Sequence, residues 1–274
     1  MKNRQSSFGA WVVAVIVLAA AIAAGVFIWR KGVQGVEQTP APAASSTAGA
    51  PAAASSAPVV RHPISDAAPA SASTAPLPAL EGSDDTVANE LAQLGGDGLA
   101  GLLLRDQIIP RIVATVDALP RQGVATRILP LRTPQGAFAV NQEDGHFTLA
   151  QRNAERYAPY MRVVEQVDAS KAVAWYVRYY SLFQQAYRDL GYPRGYFNDR
   201  LIAAIDNMLA TPQVSGPIEL VRPDVYYRYA DPSLQSLSAG QKLLLRMGPE
   251  QAAKLKAKLR EIRAGLVSHS PGQG

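Results

Sequence analysis

The sequence of 274 residues contains no cysteine. Disulfide staples, thiolate nucleophiles, cysteine-ligated zinc and a lipidated cysteine are thereby excluded. Histidine is almost as scarce. Of the three, His62 and His269 flank the stretch able to fold, which leaves His146 as the one imidazole for a Ser-His-Asp relay or a histidine metal site. Its neighbours Glu143 and Asp144 stand where a turn favours acidic residues anyway. A phosphate-binding Walker loop, His-Glu-x-x-His and Gly-x-Ser-x-Gly are also missing. No catalytic residue, cofactor or metal ligand is expected on these grounds. Lys and Arg exceed Asp and Glu by only 27 to 22, a net charge of +5, so no nucleic-acid partner is expected.

What is present is unevenly distributed. Residues 8–29 hold neither charge nor proline, and as a helix they would span about 33 Å, close to the hydrocarbon thickness of a bilayer. Lys2 and Arg4 precede this run, Arg30 and Lys31 follow it, and Trp11 and Trp29 stand near its ends, as in membrane spans. The expectation is a single transmembrane helix over 8–29 in a bacterial inner membrane, after a short cytoplasmic stretch, 1–7. A cleaved leader competes, because Ala21-Ile22-Ala23 resembles a cleavage site; against it, Gly25-Val26-Phe27-Ile28-Trp29 prolongs the apolar run. Residues 30–83 are mostly Ala, Pro, Ser and Thr with almost no large apolar side chain, so nothing there offsets the entropy of ordering. They read as a disordered linker. By analogy with bacterial proteins that follow one anchor with such a tether, the expected address of the C-terminal domain is the periplasm.

Residues 84–267 mix apolar and charged side chains as a folded domain does, and 268–274 read as a flexible tail. Ser83-Asp84-Asp85-Thr86 can start a helix carrying Val87, Leu91 and Leu94. The apolar set from Leu99 to Val116 keeps a helical period, with Pro110 at a break or a first turn. Ala137-Phe138-Ala139-Val140 and His146-Phe147-Thr148-Leu149 read as two short strands around an Asp-Gly turn. Asp168 caps a helix expected to run to Leu190 and stop at Gly191, with two adjoining apolar stripes rich in aromatics. A partner helix carries Phe197, Leu201, Ile205 and Met208 inward and ends at Thr211-Pro212, closing an αα-hairpin. An extended piece over 218–221 and two helices, 234–247 and 249–266, separated by Gly248-Pro249, complete the pattern. The expected fold class is mainly α: a helical domain with a small β-hairpin, preceded by a single transmembrane helix and a disordered linker.

The densest polar cluster is the interhelical loop Gly191-Tyr192-Pro193-Arg194-Gly195-Tyr196-Phe197-Asn198-Asp199-Arg200. Tyr192, Arg194, Tyr196, Asn198, Asp199 and Arg200 are the candidate partner-binding residues, because loops on a rigid scaffold carry function more often than cores do. The competing reading makes Asn198 or Asp199 a helix cap and Arg200 the partner of a nearby acid. Glu165 with Asp168, or Asp199 with Asp206, could instead serve as a carboxylate pair on a glycan or lipid. Lys254, Lys256, Lys258, Arg260 and Arg263 crowd the last helix, either as a solvated face or as a surface for anionic lipid.

At that loop, at residues 237–250 and at Lys256-Ala257-Lys258-Leu259-Arg260, the sequence resembles the DUF3014 family, a bacterial domain of unknown function. The resemblance implies a membrane anchor and Pro/Ala-rich linker before the domain and an envelope location; it brings no activity, cofactor or catalytic residue. The expected function is that of a membrane-anchored periplasmic interaction or scaffolding module. Its partners would be the inner membrane, through residues 8–29, and other envelope proteins. The alternative is an envelope enzyme using a carboxylate pair.

Overall fold

The computed structural model describes residues 60–64 and 76–269. After a 3-10 turn at Leu80–Gly82 come α1 (Asp84–Leu102), α2 (Ile108–Ala118), a 3-10 turn at Thr126–Ile128, β1 (Val140–Glu143), β2 (His146–Leu149), α3 (Arg152–Glu155) and α4 (Ala158–Gln166). Then follow α5 (Ala169–Arg178), α6 (Tyr180–Asp189), α7 (Phe197–Leu209), β3 (Glu219–Val221), β4 (Arg228–Tyr229), α8 (Pro232–Ser236) and α9 (Ala239–Ser268). The long α9 is the spine, packing on α7, α5, α3 and α4, while α2 fills the space against α6 and α7. Ile108, Ile109, Ile112 and Val113 of α2 are fully buried, and so are Leu255, Ile262 and Leu266 along the seam of α9. Ser238 and Gln241 form a reciprocal capping box at the start of α9, which satisfies two backbone donors that the first turn leaves unpaired. The helix kinks at Gly248, where φ is 78°, so the two helices expected there adjoin end to end.

The expected fold class needs three corrections. The small β-hairpin is half of a four-stranded antiparallel sheet in the order β1-β2-β3-β4. Strands of two or three residues such as β3 and β4 are too short to show alternation, and they find register only by pairing Phe147 with Leu220 and Leu220 with Tyr229. The hairpin turn is Asp144-Gly145, with φ of 48° and 81°, the left-handed pair a two-residue turn needs. Strand β1 therefore starts at Val140, and Ala139 instead exchanges hydrogen bonds with the buried Asn153 side chain. The sheet builds its own small core from Leu220, Tyr229, Leu234 and Leu245, and Arg246 of α9 lies over the Phe138 ring beside it.

Secondly, among the described residues no helix is long and apolar enough to cross a membrane; the span expected at 8–29, the cytoplasmic stretch 1–7 and most of the tail lie outside them. Thirdly, part of the stretch expected as disordered linker lies against the domain. Ile64 is 6% exposed within the main core, and Leu77 and Leu80 pack on it.

The helix expected from Asp168 to Leu190 is two helices meeting at Tyr179, where ψ opens to 6°. The two halves serve different neighbours: α5 packs on α9 and α6 on α2. Its aromatics are core, with Tyr176, Tyr179 and Phe183 at 0 or 1% exposure, and Trp175 stacks on Tyr179 at 4.6 Å.

Candidate functional site

Loop 192–200 is positioned from α6. Gln184 reaches across to donate to the Gly195 carbonyl at 2.8 Å, and its oxygen accepts from the Phe197 backbone N–H and the Tyr180 hydroxyl, both at 2.9 Å. Gly195 sits so close to the Tyr187 ring that a Cβ would approach it to 2.7 Å, so a side chain there would push the loop off the helix. Tyr192 stacks on Tyr187 with centroids 4.6 Å apart. Helix α7 then starts at Phe197 with no side-chain cap, so neither Asn198 nor Asp199 spends its side chain on the helix end.

Those two side chains hold another part of the chain. The Asp199 carboxylate accepts the N–H groups of Arg61 at 3.0 Å and His62 at 2.8 Å, one on each oxygen. The Asn198 amide, buried at 0% exposure, donates to the His62 carbonyl at 2.9 Å. The Tyr196 hydroxyl accepts from the Ile64 N–H at 2.5 Å and donates to the Ile64 carbonyl at 3.3 Å. Segment 60–64 is thus held through its backbone by three consecutive kinds of group: a carboxylate, an amide and a phenol. Asp199 stands in the first turn of α7, where the helix dipole favours an anion. That placement suits a carboxylate collecting backbone donors.

The other candidates are divided between two tasks. Arg200 and Tyr192 turn to Asp117, near the C-terminus of α2. Arg200 donates through Nε to its carboxylate at 2.9 Å and through the guanidinium to its carbonyl. Arg121 bridges Asp117 at 2.5 Å and Tyr192 at 2.6 Å, and Tyr192 donates to Asp117 at 3.3 Å. Asp117 beside it holds the Arg121 guanidinium above its ordinary value. Asp117 would be disfavoured at a helix C-terminus, and the two arginines compensate. Arg194 is exposed and lines an open cleft of about 390 Å³ with Arg61, Asp199, Arg200 and Asp206.

The structure therefore places Tyr196, Asn198 and Asp199 on segment 60–64, Tyr192 and Arg200 in the network beneath, and Arg194 at the rim. Segment 60–64 and Asp117 were missed by reading the sequence. The available signal was Val59, Val60 and Ile64, large apolar residues inside an Ala/Pro/Ser-rich stretch.

The proposed carboxylate pairs are engaged elsewhere. Glu165 pairs with Lys254 at 2.9 Å and Asp168 caps α5. Asp206 grips Arg263 with both oxygens, at 2.5 and 3.1 Å. Two of the basic residues crowding α9 are likewise engaged, Lys258 with Glu261 and Lys256 with the Thr211 carbonyl. Among the described residues no cluster of three or more His, Asp or Glu could hold a metal ion.

No curated protein and no solved structure matches the chain. A family model does, over residues 108–263, a stretch that begins at α2, contains Asp117 and the whole of loop 192–200, and starts after segment 60–64. It covers more than half of the chain, and the protein belongs to the family described as protein of unknown function, DUF3014.

Proposed function

We propose that this domain is a protein-interaction module working on the periplasmic side of a bacterial envelope, with the groove at Tyr196, Asn198 and Asp199, where loop 192–200 runs into α7, as its binding surface. One observation carries the reading: a stretch of polypeptide, 60–64, that bends at Arg61 and His62 is held there by backbone contacts from Tyr196, Asn198 and Asp199. Backbone contacts bind any chain that can take the same path, and a side-chain pocket adds selectivity. The hold is modest. About 1 kcal/mol for each neutral hydrogen bond and about 2 for each to a carboxylate, with about 2 for burying Ile64, comes to the same size as the ~1–2 kcal/mol per residue needed to order five residues. An occupant bound so closely to balance can exchange. The envelope address is supported by the composition of residues 1–59 and the partner class by the chemistry of the groove.

The enzyme reading has one observation in its favour, that Asp199 and Asp206 line the same cleft. Both carboxylates are already bound, one to two backbone N–H groups and the other to Arg263, so neither is free to shuttle a proton.

A photoreactive residue placed at the exposed Arg194 tests the interaction reading in living cells. It should give a defined cross-linked protein, reduced at least fivefold by Asp199→Ala, whereas the same probe at the exposed Arg152 of α3 should not. Identical products from both positions, or indifference to Asp199→Ala, would overturn the reading.

A further inference from the structure

Resting on that reading, we propose that segment 60–64 is an exchangeable internal occupant, and that the groove's external ligand is a protein segment with proline followed by an aliphatic residue. The pattern of contacts defines this ligand. The N–H groups of residues 61, 62 and 64 are each accepted by the domain. The one position between them is Pro63, which has no N–H to satisfy. With proline there, every N–H from residue 61 to residue 64 is met by the domain and none is left over. Proline also fixes its own φ, so that position is shaped before it binds.

Selectivity falls on the next position. Ile64 is 6% exposed and belongs to the main core, whereas Val60 is 45% exposed and Arg61 is exposed. The groove therefore fixes proline and the aliphatic residue after it, and tolerates variety at the first two positions. The Asn198 amide that takes the His62 carbonyl is fully buried, so the carbonyl before proline is bound in a place where water cannot substitute for it. The buried Asn198 oxygen has no donor when 60–64 is in place, a polar group that the internal occupant leaves unsatisfied and an external one could serve.

Occupation by the chain's own segment also regulates the site. A tethered ligand acts at an effective concentration on the order of millimolar, so an external segment meets a groove already competed for. Loss of the internal segment, by displacement or cleavage on either side of it, opens the site.

The test uses the full-length chain and a fluorescent peptide with the sequence of residues 58–66, read by anisotropy. A variant with Pro63→Gly and Ile64→Asp empties the groove from within. It should bind the peptide at least tenfold more tightly than the unaltered chain does, and adding Asp199→Ala should weaken that binding at least tenfold. A peptide carrying the same Gly and Asp replacements should bind at least tenfold more weakly. Equal binding to the unaltered and emptied chains would overturn the internal-occupant proposal. Equal binding of the two peptides, still dependent on Asp199, would overturn the proline-aliphatic selectivity while leaving the interaction reading intact. If the emptied chain keeps its helical circular dichroism and binds neither peptide, the exchange proposal fails, and cross-linking from Arg194 alone decides the interaction reading.

Discussion

Replacing Phe197 by alanine should lower the unfolding free energy by about 3–5 kcal/mol, the range for deleting a buried aromatic ring. Phe197 is 0% exposed. Its ring lies 5.7 Å from Phe183 in a near-parallel stack, 5.5 Å from Tyr187 and 6.3 Å from Tyr176. It is also the first residue of α7, so the cavity would open directly beneath Asn198 and Asp199. Phe197→Leu keeps most of the volume and should cost about 1–1.5 kcal/mol. Urea unfolding of the two variants checks both values. A loss below about 1 kcal/mol for the alanine variant would mean that this ring does not anchor the loop.

The second large effect is expected at Asp117. Its side chain is 9% exposed, and it receives Arg200 and Arg121, which are 25% and 54% exposed. Removing one member of a buried pair costs roughly 3–5 kcal/mol because the other charge is stranded. The solvent reaching both arginines reduces this, and Asp117→Ala should cost about 2–3 kcal/mol. Arg200→Ala and the double variant complete a cycle, which should show a coupling of about 1 kcal/mol or more. Additive losses would mean that the two residues are stabilised independently and that the loop is not braced on α2.

The helices and the interhelical loop were legible in the sequence because their signals are local. Apolar residues recur at helical spacing in α2, α7 and the second half of α9, and Asp168 with Ser170 announces the start of α5. The break at Tyr179 was not legible, because both halves keep one period and only their different partners, α9 and α2, force the bend. Arg200 stands among the candidate partner-binding residues, and only the competing reading gives it an acid, a nearby one; the acid it uses is 83 residues upstream, and an ion pair across that distance leaves no periodic trace. Asp117 in the last turn of a helix was the clue, an acid where the dipole disfavours one. Segment 60–64 was hidden for a different reason. Five residues cannot show a period, and their composition was averaged into the Ala/Pro/Ser-rich stretch around them.

Amide hydrogen exchange of Arg61, His62 and Ile64 in the full-length chain tests most directly whether the groove holds segment 60–64. All three amides should exchange at least about tenfold more slowly than in an unstructured peptide. Arg61 and His62 should lose that protection together in Asp199→Ala, while the amides of α7 remain protected. Exchange at unstructured-peptide rates in the unaltered chain, with α7 protected, would show that the segment does not occupy the groove.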